Sequence, residues 1–396
     1  MIIRFARNFA GLNVPDFRGR ESDPVLIGLA VALVCVGLVL VASASVSTAD
    51  RELGRPFYYL ERQAVYAVGG LIAASVVYHM PLRVWQRSGF SLLLFALFLL
   101  ALVLVPGIGH QVNGSTRWLG LGMFRLQVSE PARLCLLMYL AGYIVRRQDE
   151  VRSTFRGFVK PMVVMGAACL LLLLEPDFGA ASVLLGTAIA MLFIGGVRLR
   201  DFSVLVGGVS LAMAGLALSS PYRVERLTAF LNPWADPFNS GFQLTQSLIA
   251  IGRGGWFGVG LGASVQKLFY LPEAHTDFVF AVLGEELGLA GTAALILLYM
   301  ALLWRCFRIA HRAAGRGYFF GAYLAYGITV WLGLQAFINM GVNMGILPTK
   351  GLTLPLISYG GSSLLASCVG LGLVLRVARE AAQPVAGAAH LGEASA

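Results

Sequence analysis

The stretch PVLIGLAVALVCVGLVLVASASV, residues 24–46, carries no charged side chain. An α-helix rises 1.5 Å per residue, so about 20 apolar residues cross the hydrocarbon core of a bilayer. This run is long enough to span, and too long for the 7–15-residue core of a signal peptide. It is expected to stay as a helix even though Ala42-Ser43-Ala44 resembles a cleavage site. Working outward, nine more runs of the same kind follow, at roughly 59–79, 89–106, 127–145, 158–175, 178–197, 202–220, 278–303, 318–341 and 360–378. The expected fold is therefore all-α: an integral membrane protein with ten transmembrane helices. Pro176-Asp177 alone separates runs five and six, which implies a tight turn between antiparallel helices.

Composition supports the same class. Hydrophobic residues make up 58% of the 396 and charged residues 13%, and mean hydropathy is +0.76. Soluble proteins are nearer 45–50% apolar and about 25% charged, so a soluble enzyme and a disordered chain are both excluded. The five cysteines (Cys35, Cys135, Cys169, Cys306, Cys368) all lie in apolar runs and read as small hydrophobes, with no disulfide framework. Net charge is +10, but the bases are scattered between apolar runs, which argues against nucleic acid. Their distribution sets topology instead. Nineteen of the 30 Lys and Arg fall on the side holding both termini and 9 on the other, so both termini are expected to be cytoplasmic. Residues 1–23 read as a cytoplasmic N-terminal segment, 24–379 as the membrane domain, and 380–396 as a disordered cytoplasmic tail.

The outward connection 221–277, between helices seven and eight, is where special residues gather. Structureless loops beyond about 15 residues are usually functional. This one holds Asn232-Pro233-Trp234, the glycine run from Gly254 to Gly262, and a closing stretch from Lys267 through Tyr270-Leu271-Pro272-Glu273-Ala274-His275-Thr276-Asp277. Residues 242–250 have helical spacing and read as an interfacial helix lying on or dipping into the membrane. The glycine run lacks the Gly-Lys-Ser/Thr of a P-loop, so tight backbone turns are its simpler reading. Asp277 directly precedes the eighth run. Position alone suits a helix N-cap; its neighbours Glu273 and His275 make a titratable cluster at the outer membrane boundary, where shifted pKa values are expected.

Ionisable residues inside the runs must face the bundle interior or water, since each costs about 2.5–3.5 kcal/mol at mid-bilayer. Glu130 and Arg133 share a helix face at i,i+3 and read as an internal ion pair or as the wall of a polar cavity. Glu285 and Glu286 lie two turns beyond Asp277, about 100° apart around the helix. The last outward loop, Leu347 to Ser363, mixes two prolines and three glycines with Lys350, and a lone lysine there suits an anionic partner such as a phosphate.

These motifs resemble the SEDS family (shape, elongation, division and sporulation). They are Asn232-Pro233-Trp234, Gln243-Leu244-Thr245-Gln246-Ser247, Gln266-Lys267, Tyr270 to Phe278, Gly284-Glu285-Glu286-Leu287-Gly288 and the block from Leu347 to Ser363. The resemblance runs from about 24 to 379. The His275-Thr276-Asp277-Phe278 core is shared across the family, whereas Gln266-Lys267, Pro272-Glu273-Ala274 and Pro348 to Thr353 look like its cell-division branch. One departure is Arg133, where many relatives have Lys.

The resemblance implies an inverting peptidoglycan glycosyltransferase that polymerises lipid II on the outer side of the bacterial inner membrane, at the division septum. The implied partners are a class B penicillin-binding protein acting as transpeptidase and other division proteins of the membrane. The catalytic carboxylate maps by resemblance onto Asp277. Substrate-contact candidates are Lys267, Glu273, His275, Lys350, Ser358 and Arg223, with Arg226 a further cation near them. No cofactor is certain; a divalent cation, Mg or Mn, is the one candidate. The chemistry agrees with these residues. A sugar 4-hydroxyl is a weak nucleophile and gains from a positioned carboxylate base. Inversion needs no covalent nucleophile, and cations or a metal would offset charge developing on a pyrophosphate leaving group. Two other readings exist: a lipid II flippase, for which paired broken helices would be the pointer and no internal symmetry is visible, and a non-catalytic scaffold of the division complex.

Overall fold

The computed structural model describes residues 23–112, 115–121, 124–218, 230–239, 241–349 and 351–383. The chain enters the bundle at Asp23, whose carboxylate accepts the Leu26 N–H at 3.1 Å and so caps α1 (Pro24–Leu53), with Pro24 in the first turn. Gly54, at φ 63°, ends the helix in the left-handed conformation. The Asp23 carboxylate also holds the buried Arg305 guanidinium at 2.8–3.1 Å, pinning the start of α1 to a distant helix. The chain continues as α2 (Tyr58–His79), α3 (Leu82–Arg87) and α4 (Gly89–Val103), then α5 (Ser129–Arg146), α6 (Gln148–Ser153), α7 (Phe155–Leu174), α8 (Phe178–Gly195) and α9 (Leu199–Leu218). After the outward segment come α10 (Phe242–Gly254), α11 (Val279–Gly315), α12 (Phe319–Asn343) and α13 (Gly361–Ala382).

Each of the ten apolar runs falls on a helix among the described residues, and seven of these helices are long and apolar enough to cross a membrane. The chain is thus an integral membrane protein. Of the rest, α4 has 15 residues, and α5 carries Glu130, Arg133 and Arg146. The interior is built around α12 and α13, where Trp331 is wholly buried. The outer helices turn large apolar side chains outward instead: Phe90, Leu94 and Phe98 on α4, Leu211 on α9. With lipid outside, that is the expected inversion of a soluble surface.

Four expectations need correction. The connection 107–126 departs from the expected all-α fold. It forms an antiparallel sheet of β1 (Gly109–Val112), β2 (Ser115–Leu121) and β3 (Phe124–Gln127), so the fold is not wholly α. The physical reason is legible afterwards: Ser115-Thr116-Arg117-Trp118 is rich in strand-forming types, and Asn113-Gly114 precedes it in sequence. The basic connections after the second and fourth runs are not plain loops but hold the one-turn helices α3 and α6. The tail begins later than residue 380, because Glu380 is helical: it pairs with Arg376 Nε one turn back on α13 (2.8 Å) and ties the helix to α3 by accepting the Leu82 N–H (2.8 Å). Residues 1–22 and 384–396 lie outside the described residues.

The fourth correction concerns the eighth run. Helix α11 is not continuous: Gly288 has φ 64° and ψ −158° and breaks it. Ten residues at 1.5 Å put this break about 15 Å from the helix start. The glycine run meets it there. Val259 and Gly260 N–H donate to the carbonyls of Glu285 and Glu286 at 3.0 Å, while Leu289 and Ala290 N–H donate to Gly255 and Trp256 carbonyls at 2.9 and 3.0 Å. So α10 leads inward, the glycines pair with unwound backbone, and residues 263–277 return to Asp277. A Cβ on Gly258 would overlap the Glu286 carbonyl, and one on Gly288 the Gly258 amide, so both positions require glycine.

Gly258→Ala should therefore destabilise the folded protein by roughly 3 kcal/mol or more. Gly252→Ala, on α10 with open space around it, should stay within about 1 kcal/mol of wild type. Thermal unfolding in detergent compares the two, and equal melting temperatures would dismiss the pairing as a constraint.

Candidate active site

Asp277 ends the inward-and-back excursion of the chain. Helix α11 takes Phe278 as its N-cap and has no side-chain capping bond, so the cap reading of Asp277 does not hold. The turn before it is made by backbone. The N–H groups of Thr276, Asp277 and Phe278 all donate to the Glu273 carbonyl at 3.1–3.2 Å, with Glu273 itself at φ 56°. Two asparagines one turn apart on α12 hold this turn. Asn339 and Asn343 each donate Nδ2–H to the Asp277 carbonyl at 2.9 Å. Asn343 Oδ1 accepts the Ala281 N–H at 3.0 Å, and Asn339 Nδ2 also donates to the Leu352 carbonyl at 2.6 Å. The last outward loop is thereby drawn over Asp277, and a Cβ on Gly351 would lie 3.1 Å from Asp277 Oδ2. Among the described residues the carboxylate itself accepts no hydrogen bond. It is fixed through its main chain and left free at its oxygens.

Its surroundings tune it. Burial, reinforced by the Glu273 carboxylate and opposed by the Arg117 guanidinium, pushes Asp277 up to about 7. His275 is shifted the other way: burial lowers it against the pull of Glu273 and Glu52, which favours a neutral ring. That ring sits between Tyr59 and Tyr359, with centroids at 4.5 and 5.5 Å, and its carbonyl accepts the Tyr359 N–H at 2.9 Å.

Arg117 arrives on β2 and faces a second acidic group. Its Nη1 lies 3.8 Å from Asp177 Oδ2. Asp177 caps α8 through the Ala180 N–H at 3.0 Å, and its other oxygen accepts from Gln127 Nε2 (3.3 Å) and Ser129 Oγ (3.4 Å). Glu175 beside it is wholly buried with neither oxygen partnered, and burial pushes it up to about 8. An uncharged carboxyl is the form that such a site tolerates. Deeper in the bundle, Arg133 Nη1 lies 3.3 Å from Glu130 Oε2 and donates to Gln335 Oε1 at 3.0 Å. Gln335 continues through Nε2 to the Thr353 carbonyl at 3.0 Å, so the pair is wired to the last outward loop. Arg133 keeps Nε and Nη2 unpartnered.

The expected substrate contacts divide. Glu273 and His275 do adjoin Asp277. Lys267 does not face it: all three of its N–H bonds go elsewhere, to Glu286 Oε1 (2.8 Å), the Gly262 carbonyl (2.8 Å) and Ser43 Oγ (3.0 Å). Glu285 has a similar task, accepting from Ser264 Oγ (2.5 Å) and from the Val265 and Gln266 N–H groups (3.0 and 3.2 Å). Ser358 Oγ is turned onto the Leu354 N–H at 2.9 Å. Arg223, Arg226 and Lys350 lie outside the described residues. Among the described residues no group of three or more His, Cys, Asp or Glu side chains could hold a metal ion, so the Mg or Mn candidate finds no ligand set there.

Sequence reading missed Asn339, Asn343 and Arg117. The asparagines did offer a signal, two amides at i,i+4 in an apolar helix, which need partners at that depth. Arg117 offered none until its strand was known.

The family model described as Cell cycle protein, FtsW/RodA/SpoVE, matches residues 24–383. The chain belongs to this family. It is 64% identical over 350 residues to the Probable peptidoglycan glycosyltransferase FtsW of Thioalkalivibrio sulfidiphilus, covering 88% of each chain. It is 57% identical over 366 residues to that of Nitrosococcus halophilus, covering 92% of this chain and 94% of the other. Among solved structures it resembles a chain of a peptidoglycan synthase complex that coordinates polymerization and crosslinking. There the TM-score is 0.76 at 33% identity, over 92% of this chain and 99% of that one. The rod shape determining protein RodA of Thermus thermophilus matches at TM-score 0.68 and 32% identity, over 93% and 100%. The SEDS motifs quoted above are thus those of an FtsW-like chain.

The buried Lys267–Glu286 pair gives a prediction that separates a structural from a substrate-binding lysine. Lys267→Met should cost about 3–5 kcal/mol, because it strands Glu286, and the Lys267→Met/Glu286→Gln double variant should regain part of that. Melting temperatures in detergent read it. An unchanged melting temperature for Lys267→Met would overturn the structural role.

Proposed function

We propose that this chain is a peptidoglycan glycosyltransferase that polymerises glycan strands from lipid II during septal cell-wall synthesis, with Asp277 as general base. One observation carries the reading. A carboxylate at the head of a membrane helix is held by its own carbonyl, left open at its oxygens and pushed to about 7, the range in which a base can both accept and release a proton. The GlcNAc 4-hydroxyl would attack C1 of the MurNAc from the face opposite its pyrophosphate. The O4–C1 bond forms, the C1–O bond to undecaprenyl pyrophosphate breaks, and the hydroxyl proton passes to Asp277. A pyrophosphate anion leaves without needing an acid, and Arg117, close enough to lower the Asp277 pKa, is the described cation best placed to offset its charge. Glu273 raises the proton affinity of Asp277 and so strengthens it as a base. His275, Lys350 and Arg223 remain candidates for substrate contact.

The wider reading keeps the ten spans, both termini in the cytoplasm and Asp277 on the periplasmic side of the inner membrane. The membrane domain begins at residue 24 and runs through the end of α13 at Ala382. A class B penicillin-binding protein is the proposed partner. Its support is the similarity to a chain from a complex that couples polymerization to crosslinking.

Asp277→Asn should abolish polymerisation of lipid II by the purified protein with its partner while leaving the protein folded. Polymer formed at near the wild-type rate would reject the base assignment. The pH profile tests the tuning separately. A base with a pKa of about 7 is ionised above that pH, so the wild-type rate should fall as pH drops through about 7. Glu273→Gln removes a negative neighbour and should move this acid limb to lower pH. Arg117→Gln removes a positive one and should move it to higher pH. Limbs that coincide in all three proteins would show that Asp277 does not control the rate.

A further inference from the structure

The far end of the bundle holds a cluster that the proposed chemistry does not use. Arg83 and Arg87 on α3, Gln86 between them and Arg146 at the end of α5 line a cavity of about 380 Å³ with no carboxylate in its wall. Arg146 lies 17 residues beyond Ser129, about 26 Å along the helix from the Asp177 cluster, so this cavity is at the opposite face from Asp277. Among the described residues none of the three arginines forms an ion pair. Two carboxylates on neighbouring elements are engaged elsewhere, Glu150 with Arg147 (2.5 Å) and Lys160 (3.1 Å), and Glu380 with Arg376 (2.8 Å) and the Leu82 N–H, while the exposed Asp149 makes no ion pair with the three arginines. Arg83 and Arg87 also border a second cavity, of about 350 Å³, where Glu380 is the acid already committed.

The position of Arg146 is prepared by the sequence. Its guanidinium folds back over Gly142, where a Cβ would lie 2.9 Å from Nη1, and reaches Gly89 at the start of α4. Three like charges held together without a counter-ion repel one another, and an anion relieves that. Directly along the chain from Arg87, α4 presents Phe90, Leu94 and Phe98 to the outside, each at least half exposed. A ligand anionic at one end and apolar along its length would satisfy both features.

We propose that the Arg83–Arg87–Arg146 cavity binds the phosphoryl headgroup of an anionic phospholipid, with its acyl chains lying along α4. Basic pockets between helices at a bilayer face recognise such headgroups, and the apolar stripe favours a lipid over a free anion or an acidic peptide. The site stands apart from Asp277, so it neither depends on the polymerase reading nor fails with it.

The test is native mass spectrometry of the full-length purified protein with phosphatidylglycerol or zwitterionic phosphatidylcholine, with inorganic phosphate or a poly-glutamate peptide as competitor. Wild type should retain phosphatidylglycerol about tenfold or more over phosphatidylcholine. Arg83→Gln/Arg87→Gln/Arg146→Gln should lose the preference, and Gly142→Ala, which displaces only Arg146, should lose part of it. The charge-matched Arg156→Gln/Arg198→Gln/Arg200→Gln should keep it. Equal loss in the charge-matched variant would overturn the site, as would full retention in the triple variant. Displacement of the lipid by millimolar phosphate, or by the peptide, would overturn the lipid assignment. A thermal-shift measurement on each variant shows that it is folded before it is scored.

Discussion

Backbone brought to membrane depth outside a helix must find every hydrogen-bond partner within the protein. In this chain that requirement falls on Gly288. Unwinding α11 there frees carbonyls and amides in the lower-dielectric interior, and the glycine run after α10 supplies their partners strand-fashion. Because the two backbones approach this closely, Gly258 and Gly288 tolerate no side chain. The two buried glutamates then tie the returning segment down. Glu285 takes the amides of residues 265 and 266, and Glu286 takes Lys267. Each would be prohibitive if unpaired at that depth. Together they fix where the chain climbs back toward Asp277.

That arrangement separates two kinds of charge. Charges that hold the scaffold are buried and each faces an opposite charge: Lys267 with Glu286, Arg305 with Asp23, Arg133 with Glu130. Charges near Asp277 are left incomplete. Asp277 accepts no bond among the described residues, Arg117 has an unpartnered Nε, and Glu175 has two unpartnered oxygens. Incomplete pairing in a low-dielectric site costs stability, and it is what allows a carboxylate to titrate near neutrality.

Much of this was legible in the chain. Hydropathy located a helix at each of the ten runs, seven of them long and apolar enough to cross a membrane, because a span needs length and little else. The cluster around Asp277 was legible because its residues are neighbours in sequence. What could not be read was long-range. Lys267 looked like a substrate cation because it lies ten residues from Asp277, yet its partner Glu286 lies beyond Asp277, just before the break in α11. Arg117, Asn339 and Asn343 reach Asp277 from a strand and a helix far away in sequence, and no local periodicity encodes such a meeting. The break at Gly288 was hidden for a related reason: one glycine in an apolar helix is tolerated, and only the opposing glycine run makes it a break.

The chain contains its own comparison for what Asp277 does. Asp177-Phe178 and Asp277-Phe278 are the same dipeptide, each at the head of a membrane helix. In the first, α8 begins at Phe178, and the Asp177 carboxylate caps it through the Ala180 N–H. In the second, α11 begins one residue later, and the capping bond is absent. The difference comes from outside the dipeptide. Asn339 and Asn343 grip the Asp277 carbonyl, and Asn343 Oδ1 takes the Ala281 N–H, one of the amides a cap would serve. A carboxylate spent on a cap has its lone pairs taken up by the amides it serves. One relieved of that task keeps its lone pairs, and burial can raise its affinity for a proton. Asn343 therefore takes over part of the cap's work with an amide group, which does not titrate, while both asparagines hold the turn and leave the acid free for chemistry.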